Sequence, residues 1–189
     1  MSVAREIPRA WLRPAAVMER LLARRPDERV AFAFLAVASV LGFLSTLPGL
    51  QRQARESDPA FEAAIVAEAG DARILQVPAD IVDAKFEALM SGALMAWLFV
   101  VPIVLYALAW VSHLVARAIG GRGTGLGARI ALFWAALVAV PFLLLTGLVS
   151  GFVGDGLEAG IVALVAVSVF FWVWLNSLYV AEWHPEGRA

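Results

Sequence analysis

The stretch that most constrains this chain runs from Leu89 to Gly127. A long apolar run, Leu89 to Ile119, is followed at once by Gly120-Gly121-Arg122-Gly123-Thr124-Gly125-Leu126-Gly127. The run holds no Asp, Glu or Lys, and no Arg before Arg117; His113 is its one basic side chain short of that point. At 1.5 Å per residue it is about 45 Å long against a hydrocarbon thickness of about 30 Å, so it accommodates one tilted or overhanging helix and not two. The glycines then turn the chain into a second apolar run, Ala128 to Leu148, which gives a helical hairpin with Arg117, Arg122 and Arg129 at its tip.

The rest of the composition agrees. With 61% hydrophobic and 16% charged residues the chain lies outside the range of soluble domains and reads as an integral membrane protein. Its net charge of −1 gives no reason to expect a nucleic-acid partner. The absence of Cys removes disulfides, thiol catalysis and zinc-thiolate sites together. Arg far outnumbers Lys and Ala is abundant, a bias in keeping with a GC-rich bacterial source.

Taken in order, residues 1–29 form a basic segment. Pro14 opens a helix in which Val17, Met18, Leu21 and Leu22 share a face behind Trp11, with arginines on the other side. The pattern favours an amphipathic helix lying in the membrane interface, its stripe in the acyl boundary; the alternative is a helix packed on a partner protein. Pro26 breaks it, and Asp27 and Glu28 suit the first turn of the next helix. A membrane domain over residues 30–180 follows, with spans at about 30–47, 89–118, 128–148 and 159–180 and a short tail, 181–189. The first span is too long, and its charged lead too extended, for a cleaved signal peptide.

An acidic outer connection, 48–88, carries Asp58 as an N-cap, Pro59 as a first helical residue, Gly70 as a stop and Pro78 as a second start. It is too small for an independent core and is expected to cap the bundle. Pro102 and Pro141 fall inside spans, where each removes a backbone hydrogen bond; kinks or hinges are one reading, and prolines absorbed by neighbouring helices the other. Gly147 and Gly151, and likewise Gly156 and Gly160, have the spacing that lets helices approach closely.

Arginines crowd before the first span and around the glycine hairpin, and none lies between the third and fourth spans. The basic-inside rule then puts both termini and the glycine hairpin in the cytoplasm, with a bacterial inner membrane as the expected location.

Reactive groups are scarce. No Asp or Glu falls inside the expected spans, and the two histidines, His113 and His184, stand too far apart for a metal site, so no enzyme activity, metal or cofactor is expected. The glycine run lacks a Walker lysine and a preceding strand; Gly120, Gly121 and Gly123 read as a tight structural turn that presents Arg122 to lipid headgroups. Arg20, Arg24, Arg25, Arg117 and Arg122 are the candidate contacts for anionic lipid, for another membrane protein or for a second copy of the chain. A rival reading is a small transporter or channel hinged at the prolines, with His113, Asn176 and Ser177 lining the route.

Pro26-Asp27-Glu28 before the first span, His113 with Ala116-Arg117 at the end of the second, and Gly120-Gly121-Arg122-Gly123-Thr124 after it together resemble the bacterial branch of the Yip1-domain membrane proteins. The resemblance covers roughly Pro14 to Leu178. It implies a multi-span helical protein without known catalysis, of which eukaryotic members are associated with Rab GTPases and vesicle traffic. Nothing in this chain supplies a recognisable GTPase-binding segment. The family is usually drawn with five spans where four are counted here, and Gly125 stands where an aromatic residue is common. The expected fold is therefore an all-α, polytopic bundle of four transmembrane helices with an N-terminal interfacial amphipathic helix.

Overall fold

A computed structural model describes residues 3–69 and 78–184, and all of its regular structure is helical. In chain order the helices are α1 (Val3–Leu12), α2 (Pro14–Leu22), α3 (Glu28–Arg55), α4 (Pro59–Ala69), α5 (Pro78–Met95), a π-helical turn (Ala96–Val100), α6 (Val101–Ala118), α7 (Gly125–Phe152) and α8 (Leu157–Trp183). Four rods are long and apolar enough to cross a bilayer: Glu28–Arg55, Ile81–Ala118, Gly125–Phe152 and Leu157–Trp183.

Helix α7 is the centre. From Gly127 to Val140 every residue except Arg129 and Ala136 is buried, which suits a helix that is apolar all round. Half of its apolar window is covered, 50% against 6% for the α5–α6 rod, so α5–α6 is the peripheral element. The core is built on Phe133, Trp134, Ile130, Leu132 and Val138 of α7, Leu35 of α3 and Val173 of α8. Phe34 tilts against Trp134 at 5.3 Å and Tyr106 meets Phe133 edge-on at 4.9 Å.

At its other half α7 packs on α3 through backbone. A Cβ at Gly147 would overlap the Ser45 carbonyl, and one at Gly151 would overlap Pro48. Without a hydrophobic drive between helices in lipid, such close contact is what brings two rods together. Gly156 and Gly160 play no comparable part; nothing from another element stands near either. Pro48 lies inside α3, which continues through it to Arg55, beyond the boundary near Leu47 drawn from the sequence. The fourth rod likewise runs on past Val180 to Trp183, which brings Glu182 into the helix.

Pro102 stands one residue beyond the π-turn Ala96–Val100. A proline has no N–H for the preceding turn and its ring crowds that carbonyl, and one widened turn absorbs both. Trp97 of this turn lies across Gly42 of α3, which has no side chain to prevent it.

The acidic connection forms the two helices its start signals indicate. Asp58 Oδ1 accepts from the Phe61 N–H at 3.1 Å while Glu62 Oε1 accepts from the Asp58 N–H at 3.1 Å, a reciprocal cap. Lys85, only 2% exposed, donates to the Glu56 carbonyl and to Glu62 Oε1, tying the end of α3 and the start of α4 to α5. Gly70 and the side chains of Ile65 and Ala69 lie outside the described residues.

The helix opened by Pro14, α2, is amphipathic as the sequence indicates, and Val17 and Met18 of its stripe are 2% and 0% exposed; α1 before it, which holds Trp11, is a helix that the sequence reading did not give. The surface that buries them is the protein's own core, where the sequence reading had the stripe in the acyl boundary. Trp11 Nε1 donates to the Val138 carbonyl at 3.1 Å and its ring meets Phe142 at 5.2 Å. Pro141 has no N–H to give the preceding turn, which leaves carbonyls there open to an outside donor. Trp172 of α8 donates to the Trp11 carbonyl at 3.2 Å, one of the groups a helix end leaves unsatisfied. Glu6, 8% exposed, pairs with Arg9 at 3.1 Å and with Arg20 at 2.9 Å, cross-linking α1 to α2.

Candidate functional site: a histidine and a glutamate beneath the glycine turn

The start of α7 and the ends of α6 and α8 meet at one end of the bundle, with the start of α3 beside them, where Glu28 pairs with Arg129 at 3.0 Å. Each residue of Gly120-Gly121-Arg122-Gly123-Thr124 has a task there. Gly120 takes φ 94 and ends α6, a left-handed conformation that glycine adopts without steric cost. The N–H groups of Gly120 and Gly121 donate to Arg117 and Ala116 carbonyls at 3.2 and 2.8 Å, the Schellman pattern. Arg122 N–H donates to the Glu182 carbonyl at 2.7 Å, joining the turn to the end of α8. Gly123 is buried where a Cβ would overlap the Ala181 carbonyl and lie 2.8 Å from Glu182 Cα. Thr124 caps α7, its hydroxyl accepting from the Gly127 N–H at 3.1 Å.

Under this turn His113 Nδ1 stands 2.6 Å from Glu182 Oε1, the His side chain 13% exposed and the Glu 0%. Glu182 Oε2 has no hydrogen-bond partner among the described residues and faces Gly121 and Gly123, whose Cβ atoms, if present, would lie 3.2 and 2.8 Å away. The sequence reading put no carboxylate near His113, because Glu182 lies beyond the expected end of the fourth span. The signal available for Glu182 was its setting: a lone acid between Val180-Ala181 and Trp183, flanked by apolar residues on both sides.

A histidine held by a carboxylate is two parts of a hydrolytic triad, and the third part would be a nucleophile facing Nε2. Gly125 borders that edge, where a Cβ would lie 4.0 Å from Nε2, and it carries no side chain. No cluster of three potential metal ligands occurs among the described residues. The His113–Glu182 contact joins α6 to α8, and the Arg122 N–H bond to the Glu182 carbonyl joins the turn to both; removing either member of the pair would leave the other buried and unpaired.

The remaining candidates distribute as follows. Arg25, Arg117 and Arg122 are exposed at this end, as is Arg24, while Arg20 is committed to Glu6. Asn176 donates to the Trp172 carbonyl of its own helix at 2.7 Å, and Ser177 is buried with its hydroxyl unpartnered. A cavity of about 240 Å³ between α3, the α5–α6 rod, α7 and α8 is lined by apolar side chains and Ser39, and by none of His113, Asn176 or Ser177.

The family model of the Yip1 domain matches residues 9–185. No curated protein and no solved structure matches the chain. The matched region runs from the Arg9 of α1, through the glycine turn, to the Glu182 beneath it, and contains all four apolar rods, so this chain is a membrane protein belonging to the Yip1-domain family.

Proposed function

We propose that the protein works by contact and not by catalysis, as a scaffold or accessory protein of the bacterial inner membrane. Its exposed arginines, Arg25, Arg117 and Arg122, engage anionic headgroups or an acidic partner surface. The observation that carries this reading is the fate of the one buried acid-base pair: His113 and Glu182 are spent on holding the turn, and that same turn holds Arg122 out into solvent. Closure of His113 Nδ1 by Glu182 also weighs against the transporter reading, which needs that ring on an open route. The density of arginine at this end supports a cytoplasmic orientation for it.

The test reverses both charges. In R117E/R122E the retention of anionic over zwitterionic lipid through purification should fall, together with the migration of any native complex. If lipid selectivity and complex size both stay as in the parent protein, the contact reading is wrong. Orientation is read separately by placing a cysteine at Ala118, exposed at the end of α6 and in a chain with no other cysteine, and labelling intact cells with an impermeant maleimide. Protection until lysis is expected, and labelling from outside would reverse the assigned topology.

A further inference from the structure

The hairpin α1–α2 descends into the leaflet. Along α7, Val138 lies about 13 Å from Arg129, the helix's one charged residue; along α8, Trp172 lies about 15 Å from Glu182, at 1.5 Å per residue. Trp11 is hydrogen-bonded to both Val138 and Trp172, so with the edge of a hydrocarbon layer about 30 Å thick set at the level of Arg129 and Glu182 both helices put the hairpin tip, Trp11-Leu12-Arg13, near its middle. Leu12 there is 83% exposed, and Trp172 of α8, bonded to the adjacent Trp11 carbonyl, is also exposed, as lipid-facing residues are.

At this depth the hairpin carries more positive charge than it neutralises. A groove of about 590 Å³ on its outer side is lined by Arg9, Leu12, Arg13, Ala16 and Arg20. Arg9 and Arg20 share the single carboxylate of Glu6, and the Arg13 guanidinium has no hydrogen bond or ion pair among the described residues, its backbone alone bonding to Arg9 and Val17. An uncompensated guanidinium inside hydrocarbon is costly and draws water and headgroups toward it. The planar guanidinium fork matches phosphate oxygens two at a time. We propose that the Arg9–Arg13–Arg20 groove binds the phosphate of a membrane phospholipid and holds it well below its ordinary plane, thinning the leaflet beside α8. This rests on the contact reading only in making lipid a partner, and it concerns other residues than Arg117 and Arg122, so either can fail alone.

The experiment uses the absence of cysteine. L12C carries a nitroxide in vesicles of phosphatidylethanolamine and phosphatidylglycerol, with A23C, at the other end of α2, as the shallow reference. Accessibility to oxygen against a polar nickel chelate gives each label's depth, and lipid ³¹P relaxation gives the proximity of phosphate to residue 12. The expected result is a label clearly deeper than that at residue 23, with phosphate relaxation enhanced nonetheless. In L12C/R13Q the enhancement should fall several-fold with the depth unchanged, and R13K should recover part of it. Equal depths at 12 and 23 would overturn the proposal. So would a deep label without phosphate enhancement, or an enhancement indifferent to R13Q. Repetition with free inorganic phosphate added to the buffer should change nothing; competition by it would assign the groove to a soluble anion instead.

Discussion

Glu182 is the residue on which the charged end depends, and its energetics are unforgiving. Replacing His113 by Ala leaves a carboxylate with no partner in a fully buried position, a change of about 3–5 kcal/mol where a buried pair is broken on one side. H113A should therefore lower the thermal unfolding temperature in detergent sharply, while E182Q, which keeps a hydrogen-bonding oxygen of the same shape, should be much milder. Two glycines offer a cleaner contrast. At Gly123 a Cβ would strike the Ala181 backbone, so G123A should destabilise by about 1–3 kcal/mol. At Gly160, inside α8 with open space around it, G160A should be neutral or stabilising by about 0.5–1 kcal/mol. Paired unfolding scans read both. The glycine turn and its threonine cap were legible from sequence because their causes are local, φ above zero and an orphan N–H. The partnership of His113 with Glu182 was not, since it joins residues 69 positions apart and no pattern in either segment names the other.

At the scale of elements, α4 shows how a short helix is kept in place by polar contacts. The Asp58 N–H, and then Lys85, hold the Glu62 carboxyl below its ordinary value. A lowered carboxyl contributes stability that is present above its unfolded value and is lost as pH falls through the folded one. The dock should thus be indifferent to pH from neutrality down to about 4 and release below that. A nitroxide at Ala63, an exposed position on α4, should gain mobility only below that point in the parent protein, and already at neutral pH in K85Q. A label no more mobile in K85Q than in the parent protein at neutral pH would refute the tie. Start signals at Pro59 and Pro78 were readable because a proline at the first helical turn costs nothing there. Pro48 misled in the opposite sense: a proline commonly marks a helix boundary, yet α3 runs on through it to Arg55.

For the molecule as a whole, the number of crossings and their order could be read directly, because spans of apolar residues separated by charged or glycine-rich turns leave little choice in lipid. What could not be read was where the N-terminal helices go. An amphipathic stripe has the same period whether lipid or protein takes it, and only the enclosure of Met18 and Val17 in the core distinguishes the two. Deletion of residues 3–22 should uncover the first half of α7, Trp134 included, and cost far more stability than any surface substitution, visible as loss of the monodisperse fraction after solubilisation. A deletion that purifies and melts like the parent would mean that the hairpin is an accessory and not part of the core. The buried Lys85 has a practical corollary too. It is the only lysine in the chain, so succinimide esters added to the native protein find no side-chain amine to acylate. Acylation at that position then becomes a gauge of how much of the population has come apart.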